Sequence, residues 1–292
     1  MTQRRADLLL IMAAAVWGVS FVVVKEVLSV SSPLLFVALR FTLATLVLAP
    51  FVGLRQRFSA GELRAGVVLT LLLASGFATQ AVGLQYTTPA RSAFIVALSS
   101  VLAPIVAVVA VRHRMNALGV GALVVAGVGI YFLTNPSGGG LNRGDLWTLI
   151  TAVVFGGHIV AVSEFSKRFD ARRLVWLQLP GTAVGAGLAA ALFEPLRLSW
   201  TAPLIGALVF TAVFSTALAL IWQMRAQRHM SSMRASLLLC FEPIFATLTS
   251  WLYWGEHLSA AQVLGGALII GGMMLAVIAE ARSELAVSQT AP

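Results

Sequence analysis

The chain of 292 residues is 59% hydrophobic and only 11% charged, with a mean hydropathy of +0.92. A soluble domain carries about a quarter charged residues, so this chain has too few to cover a surface that faces water. The net charge of +9 does not indicate nucleic-acid binding, because the basic residues are dispersed in short hydrophilic breaks. The composition predicts an all-α integral membrane protein that binds no nucleic acid.

The first apolar run, from Leu8 to Val24, follows Arg4 and Arg5 and so resembles a signal peptide. It is longer than a signal-peptide core, and we interpret it as the first membrane span. With about 20 apolar residues for one crossing, we expect ten transmembrane helices, over residues 6–25, 33–53, 64–84, 90–111, 117–134, 144–164, 173–193, 203–225, 232–254 and 259–279. A linker-like segment, Asn-Pro-Ser-Gly-Gly-Gly, occupies residues 135–140.

Residues 145–164 repeat residues 7–26 at an offset of 138. The matches are Asp7/Asp145, Leu8/Leu146, Ala14/Ala152, Val16/Val154, Gly18/Gly156, Val22/Val160 and Glu26/Glu164. The repeat continues at an offset of 143, where Gln80 aligns with Gln223. We therefore expect two five-helix repeats, 1–135 and 144–280, and a short polar cytoplasmic tail, 281–292, without fixed structure.

The basic residues are distributed unevenly between the two sides of the membrane. With a cytoplasmic N-terminus, the loops on the outer side hold four of them, Lys25, Arg91, Arg143 and Arg197. The cytoplasmic loops hold fifteen: Arg4, Arg5, Arg55, Arg57, Arg64, Arg112, Arg114, Lys167, Arg168, Arg172, Arg173, Arg225, Arg228, Arg234 and Arg282. This asymmetry predicts a multi-pass protein of the cell (cytoplasmic) membrane with both termini in the cytoplasm.

Five spans per repeat is an odd number, so the second repeat enters the membrane from the opposite side. Inverted repeats are typical of secondary transporters, in which the substrate site lies near the midplane between the halves. The pattern therefore predicts a transporter that works by alternating access.

Several motifs closely resemble those of EamA-type transporters of the drug/metabolite transporter superfamily. They are Glu242-Pro243 in the ninth span, Gly255-Glu256-His257-Leu258-Ser259 before the tenth, Trp17-Gly18 and Arg40-Phe41. The resemblance covers the whole chain and implies efflux of small metabolites, amino acids or drugs, with uptake in some members. One departure is the turn at 111–115, which holds no acidic residue to match Glu256.

Polar and aromatic residues at matched positions of the two repeats are the candidate substrate site. Trp17 and Ser20 share one helix face, as do their counterparts in the second repeat. The candidates are Trp17, Ser20, Gln80, Phe155, His158 and Gln223. Tyr86, Phe94 and Trp222 are further aromatic candidates for the lining, whereas Trp251, Tyr253 and Trp254 fit an interfacial belt.

Two charged residues lie inside predicted spans, at the margin of this site. Glu242 is either a site for a proton or a substrate amine, or a residue that settles the helix break at Pro243. Arg40 binds a substrate carboxylate, pairs with Glu242, or rests against backbone carbonyls as a fixed support. His158 similarly has two interpretations, a neutral link between helices or a proton-coupled group.

An intramembrane enzyme and a channel are the two alternatives to a transporter. Ser20 and His158 would be the nucleophile and base of an intramembrane enzyme, but no orienting acid accompanies them. A channel would show a carbonyl filter or rings of charge. The sequence has no Walker motif and no metal-ligand cluster, so we expect no enzyme activity, no metal and no cofactor. The expected partners are a small-molecule substrate and the lipid bilayer; proton coupling and the oligomeric state stay open.

Overall fold

The fold was analysed in a computed structural model of the chain. The structure describes residues 1–51, 57–103, 106, 117–134, 141–230, 235, 238–239 and 241–290. The linker at 135–140, the turn at 111–115 and Cys240 lie outside the described residues.

The described residues form eleven α-helical segments and contain no strand. The segments are α1 (Gln3–Val27), α2 (Pro33–Leu48), α3 (Ala60–Leu84), α4 (Pro89–Ala97), α5 (Ala117–Thr134), α6 (Arg143–Ser166), α7 (Ala171–Phe193), α8 (Ala202–Phe210), α9 (Ala219–Gln227), α10 (Phe241–Trp254) and α11 (Ala260–Thr290). A 3-10 turn, Ala49–Phe51, extends α2, and a π-helix, Thr211–Leu218, joins α8 to α9. The predicted all-helical membrane class is confirmed.

Six helical stretches among the described residues are long and apolar enough to cross a membrane. They are Gln3–Val27, Pro33–Phe51, Ala60–Leu84, Arg143–Ser166, Ala171–Phe193 and Ala202–Gln227. Three shorter apolar helices, Pro89–Ala103, Ala117–Leu133 and Ala260–Ala276, accompany them. The protein is therefore a multi-pass membrane protein.

Side chains in the breaks explain where the helices begin. Ser59 and Glu62 form a reciprocal capping box at the start of α3, and Asn142 and Asp145 form one at the start of α6. Proline stands in the first turn of α2, where its missing N–H costs no hydrogen bond. These local signals place the helix starts close to the predicted ones.

One expectation about the C-terminus is wrong. The tail after residue 280 was expected to lack fixed structure, but α11 continues to Thr290. The residues from Ala279 to Ala286 are rich in alanine, glutamate, leucine and arginine, which are strong helix formers. The helix therefore continues past the apolar stretch that the span prediction used.

Helices from the first half of the chain pack against helices from the second. The main pairs are α2 with α7, α3 with α6 and α7, α1 with α10, and α5 with α11. The last pair is close-packed, since a Cβ added at Gly265 would lie 2.7 Å from the carbonyl oxygen of Gly129. Small residues allow this approach, as in other membrane helix pairs.

Two sets of polar contacts join the halves at opposite ends of the bundle. At one end, the Arg173 guanidinium binds the Glu62 carboxylate, with Nε 2.6 Å from Oε1, and Phe58 stacks on Trp176. We call this the arginine-rich end. At the opposite end, Ser32 N–H donates to Arg197 O at 2.9 Å. These contacts connect loops that are far apart in sequence.

Candidate functional site

A cavity in the middle of the bundle brings the six predicted site residues together. The cavity is partly open and has a volume of about 80 Å³. Its wall includes Trp17, Ser20, Gln80, Phe155, His158 and Gln223, together with Glu242. These residues come from α1, α3, α6, α9 and α10, so both halves of the chain contribute.

A buried polar pair lies on the second-half side of this cavity. His158 Nε2 lies 3.0 Å from Gln178 Oε1, which joins α6 to α7. Both side chains are buried, and the Phe155 ring lies 6.5 Å from the imidazole. Because Gln178 Oε1 can only accept a hydrogen bond, His158 Nε2 carries the proton in this contact, and the amide holds the imidazole in place.

The Glu242 carboxyl is part of the cavity wall. It is half-buried at the first turn of α10, and within the described part of the chain it has no hydrogen-bond or ion-pair partner. A carboxyl group inside a membrane span is costly to keep charged unless it is paired or faces a polar cavity. The position fits a site for an amine or a proton.

Arg40 is bound by two hydroxyl groups of the π-helix and by an aromatic ring. Its Nε donates to Thr216 Oγ1 at 2.7 Å, and one NH2 group donates to Ser215 Oγ at 3.0 Å. The guanidinium also lies over the Phe77 ring, 4.6 Å from its centroid. The predicted pair with Glu242 is not formed, because these contacts hold the guanidinium against the π-helix.

The π-helix that Arg40 binds also receives a contact from α1. Trp17 Nε1 donates to Ser215 O at 2.8 Å. A π-helix has a wider turn than an α-helix and often occurs near functional sites. The two first-half donors therefore fix the segment that precedes Leu220 and Gln223, both of which line the cavity. Nothing in the sequence signals a π-helix at this position.

Arg40 does line a second, smaller space beside the main cavity. The two spaces share Ser20, Phe21, Phe77 and Gln80 in their walls. Arg40 therefore lies one layer behind the central wall, at the margin where the sequence placed it.

Three aromatic predictions do not hold. Tyr86 lines a separate surface groove, Phe94 packs against Gly266, and Trp222 is not part of the cavity wall. Conversely, the wall includes Phe21, Phe77, Ser99 and Ser100, which the sequence reasoning missed. Gln178 was also missed, although it is a polar residue inside a predicted span. An offset of 138 aligns it with Arg40, which was a signal that could have identified it.

The structure does not assemble a nucleophile–base pair from Ser20 and His158. Ser20 Oγ donates to Trp17 O at 2.7 Å, and the imidazole is bonded to Gln178. The described residues also contain no cluster of ligands that could hold a metal ion.

The Gly255-Glu256 motif forms the turn between α10 and α11. Gly255 has φ +63°, which favours glycine, and its N–H donates to Trp251 O at 3.0 Å. The Glu256 carboxylate accepts a hydrogen bond from Ser250 Oγ, and Ser259 caps α11 together with Gln262. The motif is explained by turn geometry and capping alone.

A polar and aromatic cavity inside a multi-pass helical bundle is the arrangement of a membrane transporter. The sequence model of the EamA-like transporter family matches residues 4–135 and again residues 142–278. The chain belongs to the EamA-like transporter family, as its motifs indicated, and it is a membrane transporter.

Relatives and a solved structure agree with this family. The chain is 32% identical to an uncharacterized transporter of Archaeoglobus fulgidus, over 91% of this chain and 83% of the other. It is 21% identical to the uncharacterized transporter YoaV of Bacillus subtilis, over 91% and 94% of the two chains. A solved structure titled "Crystal structure of protein" has a TM-score of 0.69 at 21% identity and covers 97% of this chain and 100% of its own, which shows the fold alone.

Proposed function

We propose that the protein is a secondary transporter that exports a small metabolite, amino acid or drug-like amphiphile across the cytoplasmic membrane by alternating access. The observation that carries this proposal is the shared cavity wall. Gln80 and Gln223, which align at an offset of 143, both line it, as do Ser20 and His158, which align at 138. A site between two halves is the location that alternating access requires.

Two close helix contacts support the inverted repeat. A Cβ at Gly18 would lie 2.7 Å from Glu242 O, and a Cβ at Gly156 would lie 3.1 Å from Ser99 O. Gly18 and Gly156 are equivalent residues at a repeat offset of 138, and Ser99 and Glu242 are equivalent at an offset of 143. The contact from the first repeat to the second therefore has a counterpart from the second repeat to the first, as a pseudo-two-fold axis requires. The two family matches support the division into repeats as well.

The ten-helix topology, with both termini in the cytoplasm, is part of this proposal. The arginine-rich end is then the cytoplasmic end. Reporter fusions at Gly139 and Arg168 should report opposite sides of the cell membrane. If both reporters indicate the same side of the membrane, the topology is wrong.

The chemistry of the cavity favours a substrate with an amino group and an apolar body. The wall carries the Glu242 carboxyl, two glutamine amides, one imidazole and several aromatic rings, and Arg40 is already bound to hydroxyl groups. A sugar phosphate would need several cations in the wall. An amine can instead bind the Glu242 carboxyl, with the aromatic rings against its apolar part.

The test is a comparison of metabolites in cells that lack the protein and cells that overproduce it. The expected result is a small set of amino compounds that falls inside overproducing cells and rises in the medium. Overproduced Gln223→Leu should not produce this change, whereas the control Glu164→Gln, on an exposed carboxylate, should. Identical metabolite profiles in all strains would contradict the proposal.

A further inference from the structure

A groove separate from the central cavity lies between α3 and α7, toward the end of the bundle opposite the arginine-rich end. It is partly open and has a volume of about 600 Å³, which is within the size range of small-molecule sites. Phe77 and Gln80 of α3 line the central cavity, whereas Ala78 and Val82 line the groove. These positions lie on different faces of the helix, so the groove is a second space.

The groove forms because α3 and α7 separate along their length. At four successive turns, residues 111 apart in sequence face each other: Glu62/Arg173, Gly66/Leu177, Thr70/Gly181 and Ala74/Gly185. The next three pairs of this series line the groove: Ala78/Ala189, Val82/Phe193 and Tyr86/Arg197. A glycine is present in three of the first four pairs and in none of the groove pairs. Since glycine lets helices approach closely, the two helices touch near the arginine-rich end and part toward the other end.

The part of the groove nearer the middle of the bundle is apolar. Ala78, Val82 and Ala189 line it. Thr79 also lines it, but its hydroxyl group is hydrogen-bonded to Thr151 Oγ1 at 2.8 Å. This part of the wall belongs to helices that are long and apolar enough to cross the membrane, and the groove is partly open. An aliphatic chain of the bilayer therefore fits here better than a polar solute, which would lose its hydrogen bonds to water.

The other part of the groove is aromatic and charged. Tyr86, Trp147, Glu194 and Arg197 line it, and Tyr86 is roughly 12 Å beyond Ala78 at the rise of a helix. Tyrosine and tryptophan are enriched where a membrane meets water. Arg197 is exposed, and its positive charge acts on the Glu194 carboxyl group. This end of the groove therefore offers one cation and one anion within range of each other's charge.

Glu194 can bind a further donor although its carboxylate already accepts a hydrogen bond. The Leu34 N–H donates to its Oε2 at 3.0 Å and to its Oε1 at 3.2 Å. An ionised carboxylate has about four acceptor sites, and Glu194 is only partly buried. A ligand ammonium group can therefore share this carboxylate with the backbone.

We propose that the groove binds a phospholipid with an ethanolamine headgroup. One acyl chain lies between α3 and α7, the phosphate binds the Arg197 guanidinium, and the ammonium group binds the Glu194 carboxylate. Arginine can donate two parallel hydrogen bonds to a phosphate, and the two opposite charges match a zwitterionic headgroup. The site is independent of the transported substrate, because the central cavity has a different lining.

The test is photolabelling of the purified full chain, in detergent micelles, with a phosphatidylethanolamine that carries a diazirine in one acyl chain. Peptide mass spectrometry locates the modified residues. In the unaltered protein, label at residues 78–82 and 189–193 should exceed label at Val67 and Val124 by at least about fivefold, because the groove holds the chain in place. Val67 and Val124 are the matched controls, since both are exposed apolar residues outside the groove. Even labelling of all these positions would overturn the proposal.

Two variants test the two ends of the groove. Arg197→Gln should lower groove labelling by at least about fivefold, because the phosphate loses its cation. Ala189→Phe should lower it similarly, because the ring fills the space between the helices. The matched controls are Arg143→Gln, which removes another exposed arginine, and Val184→Phe, at an exposed position of α7 outside the groove wall. If each variant and its control lose the same amount of label, the groove is not the lipid site.

Competition identifies the headgroup. Unlabelled dioleoylphosphatidylethanolamine should displace the label at a concentration at least about fivefold lower than phosphatidylglycerol or phosphatidylcholine with the same chains, because neither can donate an ammonium hydrogen bond to Glu194. Glu194→Gln should reduce this difference. Equal displacement by the three lipids in the unaltered protein would contradict the proposal. A dimer with an unlabelled groove would assign the groove to a second copy of the chain and would contradict it as well.

Discussion

Gly18 lies directly against the backbone of Glu242, so that α1 and α10 meet at the cavity. A Cβ at Gly18 would lie 2.7 Å from both Glu242 O and Phe245 Cβ. This contact explains why a glycine follows Trp17 and how Trp17 and Glu242 come to line the same cavity. The two motifs are thus parts of one packing unit.

We predict that Gly18→Ala will reduce transport by roughly tenfold or more, since a shift of about 1–3 kcal/mol is typical when a close-packed contact is overfilled. The added methyl group must push α10 away and move Glu242. The effect is measured as the rate at which the identified substrate is transported across the membrane of proteoliposomes. Gly206→Ala is the matched control, because a Cβ there meets nothing within 4 Å. Equal activity of the two variants would contradict the packing argument.

Glu242→Gln should lower transport below roughly a tenth of the original rate while the protein still inserts in the membrane. The amide keeps the shape of the carboxyl group but cannot bind a proton or attract an amine. Transport as a function of external pH, in membranes with equal amounts of protein, measures this change. Unchanged, pH-dependent flux would show that Glu242 is neither a proton site nor an amine site.

The ion pair between Glu62 and Arg173 should stabilise the joint between the halves. Arg173→Gln should cost about 2 kcal/mol in the free energy of unfolding, since both side chains are only 11% exposed and Glu62 is left unpaired. The double variant Glu62→Gln/Arg173→Gln should cost less than the sum of the single variants. Denaturant titration in detergent gives these values.

The control for this pair is Lys167→Gln, which breaks an exposed pair with Glu164. Exposed pairs contribute less than about 1 kcal/mol. If Lys167→Gln and Arg173→Gln destabilise the protein equally, the joint does not depend on the buried ion pair.

Glu194 should make stability depend on pH. Burial raises the pKa of its carboxyl group above the usual 4.5, against the opposing effect of hydrogen bonds from the Leu34 and Leu35 backbone and the charge of Arg197. A raised folded-state pKa means that the folded protein holds this proton more tightly, so stability falls as pH rises from about 4.5 through the folded pKa. Glu194→Gln should show a smaller decline over this range in thermal unfolding curves. An identical pH profile would contradict the shift.

The sequence predicted the all-helical class because its signals are local. Apolar length indicated the six long apolar helices among the described residues, and residues such as Ser59 and Pro33 marked helix starts, while the count of ten stays a prediction. The pairing of Ser20 with His158 and of Gln80 with Gln223 came from the repeat alone, and the structure brings all four to one cavity wall. That this cavity binds the substrate stays a prediction.

The interactions between distant helices were harder to predict. The bond from Arg40 to Ser215 and Thr216 depends on a π-helix, whose geometry arises from tertiary packing rather than from a residue pattern. The contact of His158 with Gln178 likewise depends on how α6 meets α7. The sequence alone therefore does not reveal which groups Arg40 contacts.

The most direct test of alternating access at this cavity uses single cysteines at residues 20, 80, 158 and 223 in a Cys240→Ala background. Membrane-impermeant thiol reagents are applied to one side of the membrane at a time, with and without the identified substrate. The account predicts that substrate protects these positions, and that conditions trapping one conformation switch the side from which they react. If the four positions stay unreactive from both sides while transport continues, they are helix-packing residues and the central claim is wrong.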